Sequence, residues 1–111
     1  MTIGRMPACG LSLAVVMFCL GSSVQAQTAA AVARGRELAE RACGGCHAVN
    51  GGSGTIVQGI DVPSLGAIAS RPNQTAERLK AFIMTPHRPM PGIPLTLAEV
   101  DDIVAYLQSL K

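Results

Sequence analysis

Two cysteines and a histidine stand in the run Cys43-Gly44-Gly45-Cys46-His47, and this spacing suits one kind of chemistry. Two thiols three residues apart on a helical turn can each add to one of the two vinyl groups on adjacent pyrroles of a haem. The next residue, His47, then lies under the iron and can supply an imidazole as the proximal ligand. The C-x-x-C-H pattern is the attachment signal for c-type haem. We therefore predict one covalent haem c on Cys43 and Cys46, with His47 as an iron ligand.

Three other kinds of site use a similar pair of cysteines. A zinc site needs two further ligands, and beyond residue 26 the only other histidine is His87. A thioredoxin-like redox pair needs a βαβ setting, which the sequence does not indicate. A plain disulfide between the two cysteines in an oxidising compartment is the third alternative.

The first 26 residues have the pattern of a secretory signal peptide. Arg5 supplies the positive charge, residues 8–20 form an apolar run, and a small-residue cleavage site ends at Ala26. The run is shorter than the roughly 20 apolar residues that span a bilayer, so an uncleaved membrane anchor is the weaker alternative. We predict cleavage after Ala26, export to the periplasm and a mature domain of residues 27–111. Export agrees with the haem motif, because c-type haem is attached outside the bacterial cytoplasm.

The composition limits the remaining possibilities. A chain of 111 residues and 11.4 kDa allows one small domain and excludes a multidomain enzyme. The net charge of +2 has no clustered basic stripe beside it, which argues against a nucleic-acid partner. Beyond residue 26 the only aromatic residues are Phe82 and Tyr106, so the domain is short of core without some other group to fill it.

Apolar periodicity predicts a first helix that runs into the motif. One face of this helix carries residues at i, i+3, i+4 and i+7, namely Gly35, Leu38, Ala39 and Ala42. After the motif, glycines punctuate a predicted loop over residues 49–62. Residues 63–69 could then form a single helical turn.

Two further helices are predicted in the second half of the chain. Asn73 is a suitable N-cap for the next helix, whose apolar face carries Leu79, Phe82 and Ile83. The last helix begins at Thr96, which forms a capping-box pattern with Glu99. Its apolar stripe comprises Leu97, Val100, Ile103, Val104, Tyr106, Leu107 and Leu110. No alternating strand pattern is present, so we predict an all-α domain with three main helices.

With these motifs in place, nearly all of residues 27–111 resembles the class I c-type cytochromes, in their small bacterial periplasmic monohaem form. Gly35 matches the small residue at which the first and last helices of that family cross. Residues 102–107 resemble its last-helix signature, whose aromatic residue, here Tyr106, packs at the crossing. The resemblance implies the cytochrome c fold, with crossing N- and C-terminal helices around the haem. The family's usual aromatic residue in the first helix is missing, because Leu38 and Ala39 stand in that neighbourhood.

The resemblance also implies two residues around the iron. Pro63 resembles the proline whose carbonyl accepts a hydrogen bond from the proximal histidine, which fixes the tautomer and raises the basicity of His47. The run around Met90 resembles the loop that carries the distal methionine ligand.

The residues themselves favour Met90 over the other candidates for the second iron ligand. Beyond residue 26 the only methionines are Met84 and Met90. Met84 falls at the end of a predicted helix and is expected to pack in the core. Met90 lies in a segment with four prolines in nine residues, and this restricted backbone would lose little entropy on ligation. His87 and Met84 remain the alternatives.

Two axial ligands leave no coordination position open on the iron, which points to a one-electron carrier and not to an enzyme. The expected partners are redox proteins such as a dehydrogenase, a cytochrome complex, an oxidase or a reductase. We expect a monomer without stable membrane insertion after signal cleavage. A haem c subunit fixed in a larger oxidoreductase complex is the alternative. A ligand-binding or peroxidatic haem protein is the third possibility, but it would need the position that Met90 is expected to fill.

Overall fold

The structure, a computed structural model, describes residues 28–85 and 87–111. The predicted signal peptide, residues 1–26, lies outside these described residues, as do Gln27 and Pro86. Helix α1 covers residues 28–42. The elements that follow are β1 (Thr55–Val57), β2 (Ile60–Val62), α2 (Leu65–Ala69), α3 (Ala76–Met84) and α4 (Leu97–Ser109). The domain is mostly helical, and the predicted fold class is confirmed.

Helices α1 and α4 cross in close contact at Gly35. A Cβ atom built on Gly35 would overlap the backbone carbonyl of Asp102, so only glycine allows this approach. Beside the crossing, Arg34 donates two hydrogen bonds to the carboxylate of Asp102, over 2.8 and 2.9 Å. The predicted crossing is therefore present, but the closest neighbour of Gly35 is the α4 backbone and not the ring of Tyr106.

The core is built mainly on one face of α4. Its buried apolar residues are Ala39, Val49, Leu65, Ala69, Leu79, Val100, Ile103, Val104, Tyr106 and Leu107. Burial of each large aliphatic side chain contributes about 1.5–3 kcal/mol, so this cluster is the main source of stability in the described part of the chain. Most of the predicted α4 stripe is buried as expected. Leu97 is the exception, because it lies at the first residue of the helix, where its side chain is exposed.

Hydroxyl side chains cap three of the helices. The capping box at α4 is confirmed, since Thr96 Oγ1 accepts from the Glu99 amide and Glu99 accepts from the Thr96 amide. At α3 the predicted N-cap was wrong. Thr75 takes that place and accepts from the Arg78 amide over 3.2 Å, while Asn73 lies in the left-handed region at φ 58°. A local turn at Asn73 delays the helix by two residues.

The segment predicted to be a loop contains a small antiparallel hairpin. Strands β1 and β2 pair Thr55 with Val62 and Val57 with Ile60. The two-residue turn is Gln58-Gly59, and both residues have positive φ, 51° and 79°, as the commonest tight hairpin turn requires. Three-residue strands are too short to show the alternating pattern by which strands are found in a sequence.

Within residues 28–85 and 87–111, no helix combines the length and the apolar character that crossing a membrane requires.

Candidate functional site

The C-x-x-C-H run continues directly from the end of α1. The Cys43 amide donates to the Ala39 carbonyl over 2.8 Å, which extends the helical path into the motif. One turn later, the His47 amide donates to the Cys43 carbonyl over 2.9 Å. The cysteines and the histidine therefore lie on consecutive turns of one local structure, as the spacing predicts.

The two thiols at this site are free and differ in exposure. Cys43 is half-buried and Cys46 is exposed, and no disulfide joins them. Burial raises the pKa of the Cys43 thiol, so this group is a neutral thiol near pH 7. Both sulfur atoms are thus available for covalent attachment.

The imidazole of His47 is held by one hydrogen bond. Its Nδ1 lies 2.7 Å from the carbonyl oxygen of Pro63. A carbonyl can only accept, so Nδ1 carries the proton and the second ring nitrogen, Nε2, has a free lone pair. Within the described parts of the chain Nε2 has no hydrogen-bond partner. This tautomer is the one that a histidine needs when Nε2 binds a metal.

The hairpin and the chain that follows it fix the motif from one side. The hydroxyl of Thr55 donates to the carbonyl oxygen of Cys46 over 2.5 Å. Just beyond β2, the Leu65 amide donates to the Ala48 carbonyl over 3.0 Å. No sequence pattern indicates the Thr55 contact, because it joins residues nine positions apart through a hairpin that periodicity did not predict.

Tyr106 supports the segment just after the motif. Its buried hydroxyl donates to the carbonyl of Val49 over 3.0 Å. The last helix is thereby tied to the chain two residues beyond His47, so α4 supports the site as well as the core.

Met90 lies in the proline-rich loop between α3 and α4. It is half-buried, and its backbone pairs with that of His87 in an isolated antiparallel bridge. The His87 ring meets the Phe82 ring edge-on, with 4.3 Å between the centroids, and its Nδ1 donates to the Thr85 carbonyl over 3.0 Å. The second candidate for the distal position, His87, therefore already makes two contacts of its own.

Met84 does not pack in the core as predicted. The residue is 52% exposed, and Phe82, expected on the buried face of the same helix, is 57% exposed. The buried face of α3 is carried by Leu79, and Met84 lies five residues later, about 140° around the helix. Met84 instead forms part of the wall of a small open hollow of about 130 Å³, together with Ile93 and Val100.

A wider hollow opens between the hairpin and the Met90 loop. It has a volume of about 530 Å³ and is lined by Ile60 on one side and by Arg88 and Pro89 on the other. The hollow therefore borders the hairpin that leads into Pro63 and the loop that carries Met90.

The donor set of the site fits a c-type haem. Two free thiols at the correct spacing precede a histidine whose Nδ1 is bonded and whose Nε2 is available. In the described residues, no group of three or more His, Cys, Asp or Glu side chains is placed to hold a metal ion. The zinc alternative therefore has no ligand set in this part of the chain.

Comparison with known proteins gives a consistent picture. A protein-family model described as cytochrome c matches residues 32–111. The chain is also similar to cytochrome c-552 of Bradyrhizobium diazoefficiens, with 38% identity over 96 residues, which cover 86% of this chain and 90% of that protein. No solved structure matches the chain significantly.

Proposed function

The chain belongs to the cytochrome c family as a class I c-type cytochrome, and from this premise we propose that it is a one-electron carrier with a single covalent haem c held between His47 and Met90. The observation that carries the proposal is the imidazole of His47, bonded through Nδ1 to Pro63 directly after two free thiols. This arrangement leaves Nε2 as the one nitrogen of the His47 ring that is able to bind iron.

Covalent attachment is assigned to Cys43 and Cys46. Each S–H adds across one vinyl group, so that the sulfur bonds to one vinyl carbon and the hydrogen ends on the other. The two thioethers hold the group in a domain whose described aromatic core is limited to Tyr106. Cys43 is half-buried and packs against the buried apolar cluster, so a thioether formed on it would lie at the edge of the core.

The two axial ligands determine what the bound group can do. When bound, haem supplies an iron that alternates between Fe(III) and Fe(II). The Pro63 carbonyl raises the basicity of the His47 ring, and the Met90 thioether favours the reduced state. With both His47 and Met90 bound, no coordination position would be open to a substrate, and the group would only exchange electrons with a docked partner.

The location and the partners are part of the same proposal. The N-terminal pattern that ends at Ala26 supports export, cleavage and a periplasmic site of action for residues 27–111. Other redox proteins, such as a dehydrogenase, a cytochrome complex, an oxidase or a reductase, would donate and accept the electron while docked briefly to a monomer. The weak net charge supports transient docking without strong electrostatic steering.

A second candidate is a haem c subunit held in a larger oxidoreductase complex. Three exposed apolar side chains, Ile56, Phe82 and Met84, are the observation that favours it, since a permanent interface would cover such groups. Gel filtration of a gentle periplasmic extract separates the two candidates. A free carrier elutes at the size of one chain, and a subunit elutes with its complex.

Mass spectrometry of the protein from cells competent in haem attachment tests the proposal. The expected product is one chain beginning near Gln27 plus the mass of one haem. Cys43→Ala and Cys46→Ala should each retain one thioether, and the double variant should release the haem on denaturation. A mature chain with free thiols, or with a Cys43–Cys46 disulfide, would contradict the proposal.

A further inference from the structure

One pair of residues at the open end of the hairpin is linked to His47 in two ways, each through a neighbouring residue. Thr55 and Val62 are paired residues at the open end of the hairpin. The Thr55 hydroxyl binds the Cys46 carbonyl, which belongs to the peptide group joining Cys46 to His47. Val62 directly precedes Pro63, whose carbonyl binds the His47 ring. The backbone and the imidazole of His47 are therefore both tied to the same pair.

The packing around this pair leaves little freedom for either contact to shift. A Cβ atom built on Gly54 would lie 2.5 Å from the Val62 carbonyl, so only glycine lets the chain enter β1 this close to β2. On the other side, Ser64 is fully buried and caps α2 through the Ala67 amide over 3.1 Å. Pro63 is thus held between the hairpin and a capped helix.

We propose that Thr55 is a positioning residue for the proximal ligand: its hydroxyl fixes the Cys46–His47 peptide so that the His47 ring keeps its hydrogen bond to Pro63. The inference rests on the proposed function, because it concerns the properties of the bound iron. Thr55 touches neither the ring nor the metal site and acts only through the Cys46 carbonyl.

A weaker Nδ1–H···O bond makes the imidazole a less basic ligand, because the carbonyl then withdraws less of the Nδ1 proton. A less basic ligand stabilises Fe(III) less, so the balance moves toward Fe(II). Loss of the Thr55 hydroxyl should therefore raise the reduction potential. The same loss should expose the His47 Nδ1 proton to faster exchange with water.

The experiment compares Thr55→Val and Thr55→Ser in the haem-loaded protein. Valine keeps the branched shape that suits a strand and removes the donor, whereas serine keeps the donor. At a fixed ambient potential, Thr55→Val should raise the ratio of reduced to oxidised protein by roughly two- to fivefold, the size of a modest change in an outer hydrogen bond. By NMR, its His47 Nδ1 proton should exchange faster, and Thr55→Ser should restore both values.

Thr75→Val is the matched control. It also removes a threonine hydroxyl, here the one that accepts from the Arg78 amide as the cap of α3, and it should lower stability without moving the potential. If Thr55→Val yields no haem-loaded protein, Thr55→Ala and Thr55→Ser provide the same comparison. The inference is overturned if removal of the hydroxyl changes neither the ratio nor the exchange rate, or if serine shifts both as far as valine does. Wild-type protein without covalent haem would instead overturn the proposed function itself, before any variant is made.

Discussion

The two segments assigned to the iron are positioned in different ways. Around His47, the contacts join distant parts of the chain: Pro63 binds its ring, Thr55 binds the preceding carbonyl, and Tyr106 binds the chain just after it. Around Met90, the contacts in the described structure are local. The hydrogen-bonded and ring contacts there are the bridge to His87 and the contacts that His87 makes with Phe82 and Thr85.

This difference suggests a division of labour between the two segments. The His47 segment, together with the α1–α4 crossing, is part of the core, so its geometry and the stability of the domain depend on the same contacts. The Met90 loop is restricted by its own prolines and adds little to the core. Substitutions near His47 should therefore lower stability, whereas substitution of Met90 itself should alter iron ligation first.

The largest effect on stability is expected for Gly35→Ala at the crossing. The added methyl group overlaps the Asp102 carbonyl, so α1 and α4 must separate, at a cost of about 3 kcal/mol in the free energy of unfolding. Denaturant unfolding of the haem-loaded protein measures this. Gly45→Ala is the control, because a Cβ there meets nothing within 4 Å. Equal unfolding midpoints for the two variants would mean that the close contact of α1 and α4 at Gly35 does not stabilise the fold.

Tyr106→Phe should have the next largest effect. The change keeps the ring and leaves the buried Val49 carbonyl without its donor, which costs about 1–2 kcal/mol. Ser109→Ala is the control, because it removes a hydroxyl on the same helix that donates to the Tyr106 carbonyl at a less buried site. It should change the unfolding midpoint less than Tyr106→Phe does. If Ser109→Ala lowered the unfolding midpoint more than Tyr106→Phe, the hydrogen bond from Tyr106 to Val49 would not be what connects α4 to the site.

A smaller, pH-dependent effect is expected for Asp102→Asn. Hydrogen bonds from Arg34 lower the pKa of Asp102 in the folded protein, so the ion pair stabilises the fold above the unfolded value of about 3.9. This contribution is lost as the pH falls through the lowered folded pKa. Wild type should therefore be more stable than Asp102→Asn at pH 7, and the difference should vanish in acid. Asp61→Asn controls for the loss of one charge, because Asp61 has no ion pair within the described residues. A stability difference between wild type and Asp102→Asn that is constant with pH would mean that this ion pair does not stabilise the fold.

The smallest effect on stability is expected for His87→Ala in the Met90 loop. The ring contact with the exposed Phe82 contributes about 0.5–1 kcal/mol, and Met90 should remain the distal ligand. The unfolding midpoint and the absorption spectrum together measure the effect. A wild-type spectrum that lacks the thioether signature and that changes in His87→Ala would mean that His87, and not Met90, is the ligand.

The features that sequence could predict are those fixed by local chemistry. The Cys43–His47 spacing, the Thr96–Glu99 capping box and the small residue at Gly35 each follow from a few neighbouring residues or from the family resemblance. The first two are present in the structure. Gly35 lies at the predicted helix crossing, but its closest neighbour there is the Asp102 carbonyl and not the ring of Tyr106.

The features that sequence missed depend on distant contacts. The hairpin consists of two three-residue strands. Thr55 in the first strand binds the Cys46 carbonyl, and the second strand leads directly into Pro63. Likewise, Met84 and Phe82 have the hydropathy of core residues, but the orientation of α3 against α4 buries Leu79 and leaves them exposed. Neither the hairpin nor the exposure of Met84 and Phe82 is determined by residues within one helical turn.

Substitution of the distal ligand, Met90, tests the difference between the His47 segment and the Met90 loop. Met90→Ala should keep covalent haem and the His47 segment, while the sixth position is emptied or taken by water or His87. Met84→Leu removes the other thioether near the loop from an exposed site and conserves the volume of the side chain. It should leave the iron unchanged.

The decisive measurement is the absorption spectrum of the oxidised protein, followed by a redox titration, for this pair of variants. Met84→Leu should keep the long-wavelength band of thioether-ligated ferric haem and the wild-type potential. Met90→Ala should lose that band, and if a nitrogen donor replaces the thioether its potential should fall. A Met90→Ala protein that keeps the band while Met84→Leu loses it would contradict the assignment of Met90.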